Sequence, residues 1–429
     1  MPHTEKRGDG EYPWRVKWPL PGQKTASGKQ AYDSASGFAT HDDAYNYGLD
    51  MESDLRRGRY RDARRGDTPL GQWAAKVMAH SPHAATTLAT RRGSLRRHIL
   101  PRWADTPMGE INRWDVRTWA QRLPLAPSTV DGVVDLLSYL LNAAVEANLL
   151  DANPIYRLKL SNAGERNVQN LERDEERVWV YPEDACALAA RCRRADGLMV
   201  LTAAFTGMRW GELAGLHRAN CGLLRRDTLG GKTWLRRVIR IDPKAGSLKQ
   251  ISEEGEDGVE HTRLALGPPK PPNGAREIDL CEWLADLLAA HLADWPYEYV
   301  FTTPSGTWWW RGNWAQIFRP VCDGWTDGAV RRYGVTGKLA RAQRWEPLAP
   351  ELEMHGLRHG NKTAMTEDGV AEVLQDEQLG HGGGDGRSGV DRRPVQKRYT
   401  HRTARMRRQR LDALDARWEL KKDLYLPAA

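Results

Sequence analysis

The chain has 429 residues, of which 28% are charged and 40% hydrophobic, with a formal net charge of +8 at pH 7. This length predicts roughly two to four domains. The basic balance indicates a polyanionic partner, either nucleic acid or an acidic membrane surface, unless the charge serves solubility alone. No apolar run reaches the ~20 residues of a membrane-spanning helix, and the N-terminus is too polar for a signal peptide. The five cysteines are scattered without a C-x-x-C pair, which argues against a zinc ribbon or a disulfide framework and predicts a soluble protein of the reducing cytoplasm.

Residues 1–66 are predicted to form a small module of two or three strands and one helix. Apolar and basic residues alternate from Trp14 to Trp18, which is the period of a strand, and a second extended piece is predicted to end near Phe38. Thr40 and Asp43 resemble a capping box that opens a helix running to about residue 57.

The exposed side of the first strand is expected to include Arg15 and Lys17. A solvated face is the usual interpretation of such charges. Here the helix leads into an arginine-rich stretch at residues 56–65, which favours contact with phosphates.

Residues 67–162 are predicted to form an all-helical domain. Helices are expected to start near Pro69 and Ala85 and after Ser128, and the chain turns at Asn153-Pro154. In the last helix, apolar residues recur in steps of three and four from Val130 onward, which indicates one buried stripe. The second helix carries basic residues that we interpret as a face that binds the DNA backbone rather than one that is merely solvated, namely Arg91, Arg92, Arg96 and Arg97.

Residues 163–177 are polar and are predicted to be a linker to a mixed helix-and-strand domain at residues 178–429. Helices are predicted at residues 182–193, 198–206 and 281–293, and again from Met354. Strands are predicted at residues 234–241, 262–266 and 275–280, with an exposed loop at residues 245–258. The fold class is therefore multidomain and mainly α, with small β elements.

Five local signals in this domain suggest phosphate chemistry, although each has an ordinary structural alternative. In TGMRWGEL at residues 206–213, Gly207 permits a sharp turn and Arg209 opens a helix, which together favour an anion site. Lys270 lies in a proline-flanked turn that would hold its ammonium group in one direction.

His355 and Arg358 are three residues apart and share one face of a helix, where a guanidinium and an imidazole suit a phosphodiester. His355 and His359 do not form a zinc motif, because the glutamate of H-E-x-x-H is missing. His381 follows a helix-ending glycine. Tyr399 lies among cations that would favour its phenolate form.

The order of these signals resembles that of the tyrosine recombinases, or phage integrases. TGMRWGEL resembles the first arginine box of that family, HGLRHG the second, LGH the third and KRYTH the nucleophile segment. Residues 1–66 resemble the arm-site-binding module and residues 67–162 the helical, SAM-like core-binding domain. The resemblance therefore implies an arm-type module, a core-binding domain, a linker and a catalytic domain with a C-terminal tail.

The resemblance also implies roles for the singled-out residues. Tyr399 would attack the scissile phosphate to form a 3′-phosphotyrosine, with Arg209 and Arg358 clamping that phosphate. His355 and His381 would contact the phosphate oxygens, and His355 would alternatively help to take the tyrosine proton. Lys270 would protonate the leaving 5′ oxygen, and Glu212 would orient a catalytic histidine or arginine. Neither ATP nor a metal or other cofactor would be needed, because the covalent intermediate conserves the bond energy and the arginines supply the charge.

Two features depart from the family pattern. The interval from His381 to Tyr399 is long, which leaves open whether the tyrosine acts in cis or in trans. Gly360 stands where the family commonly has a small hydroxyl residue. In the tail, the apolar end from Leu424 onward has no evident partner within the chain, which favours docking on a neighbouring protomer over packing in cis.

The function implied is site-specific recombination of a phage or integrative element in the bacterial cytoplasm, at the nucleoid. The expected partners are duplex attachment sites, further copies in a homotetramer on synapsed DNA, and DNA-bending or directionality factors, with no membrane. A type IB topoisomerase-like enzyme and a non-catalytic DNA-binding regulator are the alternatives.

Overall fold

A computed structural model describes residues 1–24, 27–57, 66–160, 177–255, 259–270, 274–324, 332–333, 337–338, 345–380 and 402–426. The chain forms two compact units, Met1–Asn162 and Ala163–Ala429. Helices predominate and the sheets are small, as the sequence predicts. The strand pairs of the described residues are antiparallel. The finer division at residue 66 stays a prediction.

The N-terminal module is a three-stranded sheet covered by one helix. Val16 and Trp18 point from the central strand into a small core with Ala44 of the helix, because strand side chains alternate between faces. The Thr40 hydroxyl accepts a hydrogen bond of 3.1 Å from the Asp43 amide, which confirms the predicted helix start. The elements are β1 (His3–Lys6), β2 (Trp14–Lys24), β3 (Gln30–Phe38) and α1 (His41–Arg56).

The second part of this unit is all-helical. The long helix α6 buries the apolar stripe that the sequence indicates, including Leu137, Leu140 and Leu141. Its N-cap residue is Ala126, two positions before the predicted Ser128. Between α3 and α4 the backbone forms one π-helical turn, Leu95–Ile99, just before Pro101, a residue that lacks an N–H for the regular ladder. The helices are α2 (Leu70–Ala79), α3 (Ala85–Ser94), α4 (Leu100–Trp103), α5 (Arg113–Gln121) and α6 (Pro127–Glu146).

The second unit packs helices around one large apolar core. Helix α8 is buried along almost its whole length, so it is apolar on every face rather than on one stripe. The helices are α7 (Ala185–Ala190), α8 (Arg194–Thr206), α9 (Trp210–Ala214), α10 (Glu282–Asp294), α11 (Arg311–Asp323), α12 (Met354–Glu367), α13 (Glu372–Leu379) and α14 (Ala404–Lys421).

The strands of this unit form a three-stranded sheet of order β4-β5-β8 and a separate hairpin, β6-β7. The prediction of a loop at residues 245–258 is wrong, because Ser247–Glu254 is strand β6 and pairs with β7. The backbone of β6 lies against Gly211 and Gly215 of α9, where a Cβ atom would come within 2.6 Å and 2.8 Å of Leu248 backbone atoms. The strands are β4 (Leu223–Leu229), β5 (Lys232–Ile241), β6 (Ser247–Glu254), β7 (Glu260–Gly267), β8 (Arg276–Leu280), β9 (Arg332–Tyr333) and β10 (Gly337–Lys338), the last two pairing with each other.

Helix α12 carries two glycines four residues apart that admit a neighbouring backbone. A Cβ atom at Gly356 would lie 2.4 Å from the Val178 carbonyl oxygen, and one at Gly360 would lie 1.7 Å from that of Val180. Residues 178–180 therefore press directly against the helix that carries the predicted histidine and arginine. This contact explains why glycine stands at position 360.

Gly360→Ala should destabilise the second unit. The new methyl group has no room beside the backbone, so either the helix or residues 178–180 must shift, at a cost of about 1–3 kcal/mol. Thermal denaturation should show a lower Tm. Gly312→Ala in α11 is the matched control, because nothing lies within 4 Å of the added carbon and alanine favours the helix. An unchanged Tm for Gly360→Ala would contradict this packing.

The C-terminal helix α14 packs on its own unit. Leu411, Leu414 and Trp418 are buried in the core, and Trp418 stacks on Trp283 with ring centroids 3.8 Å apart. Tyr425 also packs against this core. Leu424 and Leu426 are exposed, so docking of this apolar end on a neighbouring protomer stays a prediction.

In the part of the chain that the structure describes, no helix is long and apolar enough to cross a membrane. The same residues contain no cluster of three or more histidine, cysteine, aspartate or glutamate side chains arranged to hold a metal ion.

Candidate active site

Gly207 and Arg209 form the turn between helices α8 and α9. Gly207 ends α8 in the left-handed region, with φ of 65°, and a Cβ atom there would lie 2.5 Å from Leu379. Arg209 is the N-cap residue of α9, as predicted. Because α9 has only five residues, its dipole is small, and the guanidinium must supply most of the positive charge.

Arg358 reaches from α12 to the same turn. Its Nη1 donates to the Gly207 carbonyl and its Nη2 to that of Leu379, both at 2.6 Å, although the three residues are far apart in sequence. The side chain is almost entirely buried. Burial, with the charges of Arg209 and Arg276, lowers the pKa of Arg358 to about 9, so the guanidinium remains charged at neutral pH while surrounded by like charges.

Glu212 is the carboxylate at the centre of the site. Its Oε1 accepts from Arg209 Nη1 at 2.9 Å, and its Oε2 accepts from the Arg209 amide at 3.0 Å. Arg276 binds both oxygens, at 2.9 Å and 2.8 Å. Burial alone would raise the pKa of Glu212, but the Arg276 and Arg209 guanidiniums outweigh it and hold the pKa below its usual value. Glu212 is therefore an ionised bridge between two arginines. None of these contacts involves a histidine, the other partner predicted for Glu212.

Arg276 is the site residue that the sequence analysis missed. It opens strand β8, beside the turn with Lys270, and no short motif marks it. The three guanidiniums of Arg209, Arg276 and Arg358 face one carboxylate, so the cluster carries an excess of positive charge. Such a cluster is suited to an anion that brings more than one negative oxygen.

His355 is an exposed residue of α12, one turn before His359, and the two ring centroids are 4.7 Å apart. Partial burial, followed by the charges of His359, Arg358 and Arg209, lowers the pKa of His355 to about 4. The residue is solvent-exposed, so water offsets part of the burial effect, but the neighbouring cations act in the same direction. The imidazole is therefore neutral at neutral pH, with one ring nitrogen that accepts a hydrogen bond and one that donates.

Lys270 is exposed, in the turn between β7 and β8, as predicted. A second lysine, Lys249 on β6, lies beside Gly267 at the end of β7, and burial lowers its pKa. The sequence does not single out Lys249 either, because the pattern at residues 245–258 predicts a loop. It is a half-buried cation close to the start of the turn that carries Lys270.

His381 and Tyr399 both lie outside the described residues, as do residues 382–394 between them. The chain is described up to Gly380, whose carbonyl is 3.5 Å from Arg209 Nη2, and again from Arg402. The structure therefore brings together Arg209, Glu212, His355 and Arg358 and places Lys270 in the adjoining turn, while the positions of the other two stay predictions.

The basic residues predicted to contact DNA lie in the first unit. Arg15 and Lys17 are on the face of β2 opposite its core residues, and both bind Glu5, at 3.4 Å and 3.0 Å. Their charge is thus partly neutralised within the sheet. Arg92, Arg96 and Arg97 are exposed, whereas Arg91 is half-buried, with its guanidinium 4.2 Å from the centre of the Tyr139 ring. Arg91 therefore packs against Tyr139 in addition to carrying a positive charge.

No protein-family model matches the chain. Among solved structures, the chain is similar to a Tn1549 transposon integrase in complex with a circular intermediate DNA, with 16% identity and a TM-score of 0.49, covering 81% of this chain and 99% of that one. It is also similar to a lambda integrase tetramer bound to a Holliday junction, with 11% identity and a TM-score of 0.44, covering 87% of this chain and 95% of that one.

Two curated relatives from Mycobacterium tuberculosis, in the strains CDC 1551 / Oshkosh and ATCC 25618 / H37Rv, are each named a putative prophage phiRv2 integrase. Each is 25% identical to this chain over 328 residues, which covers 74% of this chain and 72% of the relative. The resemblance indicated by the ordered motifs is thereby confirmed. The chain is therefore similar to phage integrases, which are tyrosine recombinases.

Proposed function

We propose that this protein is a site-specific DNA recombinase that cleaves and rejoins DNA through a 3′-phosphotyrosine at Tyr399. One observation carries the proposal: Arg209 and Arg358, from distant parts of the sequence, meet around Glu212 in a largely buried cluster with excess positive charge. Placing so many like charges together is unfavourable unless an anion joins them. A scissile phosphate is the anion that the motifs predict.

In the proposed reaction the Tyr399 oxygen attacks the phosphorus and the bond to the 5′ oxygen breaks. Neutral His355 accepts the phenolic proton, and Lys270 gives a proton to the departing 5′ oxygen. Arg209, Arg358 and His381 stabilise the negative oxygens of the transition state. Rejoining reverses these steps with a 5′ hydroxyl as nucleophile, so no ATP, metal or other cofactor takes part.

The proposed target is a pair of duplex attachment sites brought together by a homotetramer in the bacterial cytoplasm. The arm-type module at residues 1–66 and the domain at residues 67–162 would hold the DNA through Arg15, Lys17 and the arginines of α3 and the π-helical turn that follows it. DNA-bending or directionality factors would assist. The outcome would be integration or excision of a phage or integrative element.

We further propose that Tyr399 acts on the phosphate held by its own chain. Arg402, three residues later, lies 3.4 Å from Glu377 of α13, and Arg407 lies 2.6 Å from the same carboxylate. Two residues after Glu377, the Leu379 carbonyl accepts from Arg358. Because three residues span at most about 11 Å, the anchoring of Arg402 supports delivery of Tyr399 to the arginine pair of the same protomer.

The test uses a duplex nicked close to the crossover point. The short fragment that carries the new 5′ hydroxyl then diffuses away, and the covalent complex is trapped. The crossover sequence can be sought in the DNA that flanks the gene. Wild-type protein should give a covalent protein–DNA band in denaturing gels, and Tyr399→Phe should give none. A non-catalytic regulator would bind the duplex without trapping it. A type IB topoisomerase-like enzyme would trap it but would not recombine two sites.

A further inference from the structure

Arg276 holds three segments of the site together. Its Nη1 and Nη2 bind the two oxygens of Glu212, Nη1 also donates to the Gly274 carbonyl at 2.8 Å, and Nε donates to the Gln378 carbonyl at 2.7 Å. Glu212 in turn binds Arg209. The residue therefore connects the α9 turn, the end of the loop that carries Lys270, and the end of α13.

The contacts leave Arg276 little capacity to bind a ligand. Four hydrogen bonds to protein acceptors occupy four of the five N–H groups of its guanidinium. The Arg209 side chain is 24% exposed. Arg276 is thus built into the wall of the site, and Arg209 lies where a phosphate can reach it.

The end of α13 is shaped around the same guanidinium. Gly380 has φ of 63°, and a Cβ atom there would lie 2.9 Å from Arg276 Nη1. A side chain at this position would therefore displace either the end of α13 or the Arg276 guanidinium. Gln378, whose carbonyl Arg276 binds, is itself fixed by a hydrogen bond of 3.1 Å from its side-chain amide to the Thr206 carbonyl.

Arg276 also determines the charge on Glu212. Its hydrogen bonds are the largest of the effects that lower the pKa of Glu212 against the effect of burial. Without it, burial would favour the protonated carboxylic acid, which binds Arg209 less strongly. Losing Arg276 would therefore release the Arg209 side chain from its fixed geometry, although Arg209 itself would be unchanged.

We propose that Arg276 is a positioning residue of the proposed reaction, which acts through Glu212 and the Gln378 carbonyl to hold Arg209 and the end of helix α13 in place beside the scissile phosphate. This inference rests on the proposed function. It assigns Arg276 no contact with DNA.

The experiment compares single-turnover cleavage of the nicked duplex by wild type, Arg276→Gln and Arg276→Lys. We expect DNA affinity to stay within about threefold and cleavage to fall by about 100-fold in Arg276→Gln, because misplacement by ~1 Å costs that much. Arg276→Lys keeps the charge but cannot make the four bonds, so it should recover only part of the rate.

A pH profile separates positioning from simple loss of structure. In Arg276→Gln the pKa of Glu212 is no longer held down, so cleavage should fall further as the pH is lowered and recover as Glu212 ionises. Glu212→Gln should remove this added pH dependence, and the double variant should be no slower than the worse single variant. Added guanidinium ion should partly restore Arg276→Ala.

The matched control is Arg225→Gln. Arg225 binds Glu277, the neighbour of Arg276 on β8, through a comparable bond of 2.7 Å, but it shares no acceptor with Arg276. It should cleave at the wild-type rate. Wild-type cleavage by Arg276→Gln, or a loss that is uniform with pH and tracks a lower Tm, would overturn the inference while leaving the proposed function intact. Absence of a wild-type adduct would instead overturn the proposed function.

Discussion

Arg358→Gln should lower the rate of DNA cleavage by about 100- to 1,000-fold while DNA binding is largely retained. The transition state gains negative charge on the phosphate oxygens, and removing one preorganised donor from such a site typically costs this much. Glutamine has neither the charge nor the planar fork of the guanidinium. Single-turnover cleavage of the nicked duplex, with affinity measured separately, checks the expectation.

Arg358 also stabilises the fold through two backbone carbonyls. Its replacement therefore needs a control arginine that makes similar hydrogen bonds. Arg191 is suitable because it likewise donates to two carbonyls of the second unit, those of Val321 at 2.9 Å and Glu346 at 2.8 Å. Arg191→Gln should lower stability by about 1–3 kcal/mol, the cost of unsatisfied carbonyls, and leave cleavage unchanged. If both variants lose cleavage in proportion to their loss of Tm, the role assigned to Arg358 is wrong.

Mixing Tyr399→Phe protein with Arg358→Gln protein should give no more covalent adduct than either variant alone. With delivery in cis, every protomer in the mixture lacks either the nucleophile or the phosphate clamp. The reason is the anchoring of Arg402 and Arg407 to Glu377, next to the Leu379 carbonyl that Arg358 binds.

Delivery in trans would give the opposite result. A Tyr399 from the Arg358→Gln protomer could then attack a phosphate held by the Tyr399→Phe protomer, and adduct would reappear at a substantial fraction of the wild-type level. Wild type mixed with Tyr399→Phe is the control, and its adduct should scale with the share of wild type.

Local patterns predicted those parts of the structure that depend on neighbouring residues. The stripe of helix α6 and the cap at Thr40 follow from spacings within a few residues. Gly207 and Arg209 likewise occupy the turn and the helix start that their motif predicts. Proximity of Arg209 to Arg358 could be expected only from the family resemblance.

The parts that were missed depend on contacts between distant residues. Strand β6 lacks a clear alternation, because its buried Leu248 and Ile251 are three apart, and it forms by pairing with β7 and packing on the glycines of α9. Arg276 gains its role from partners 64 and 102 residues away. The cis packing of α14 depends on Trp418 stacking against Trp283, which no local pattern reveals.

The most direct test of the account is to identify the residue that becomes attached to DNA. Wild-type protein trapped on the nicked duplex is treated with nuclease and protease, and the modified peptide is sequenced by mass spectrometry. The account predicts a nucleotide 3′-phosphate on the oxygen of Tyr399. Attachment at any other residue, or the absence of a covalent adduct on a duplex that the protein binds specifically, would contradict it.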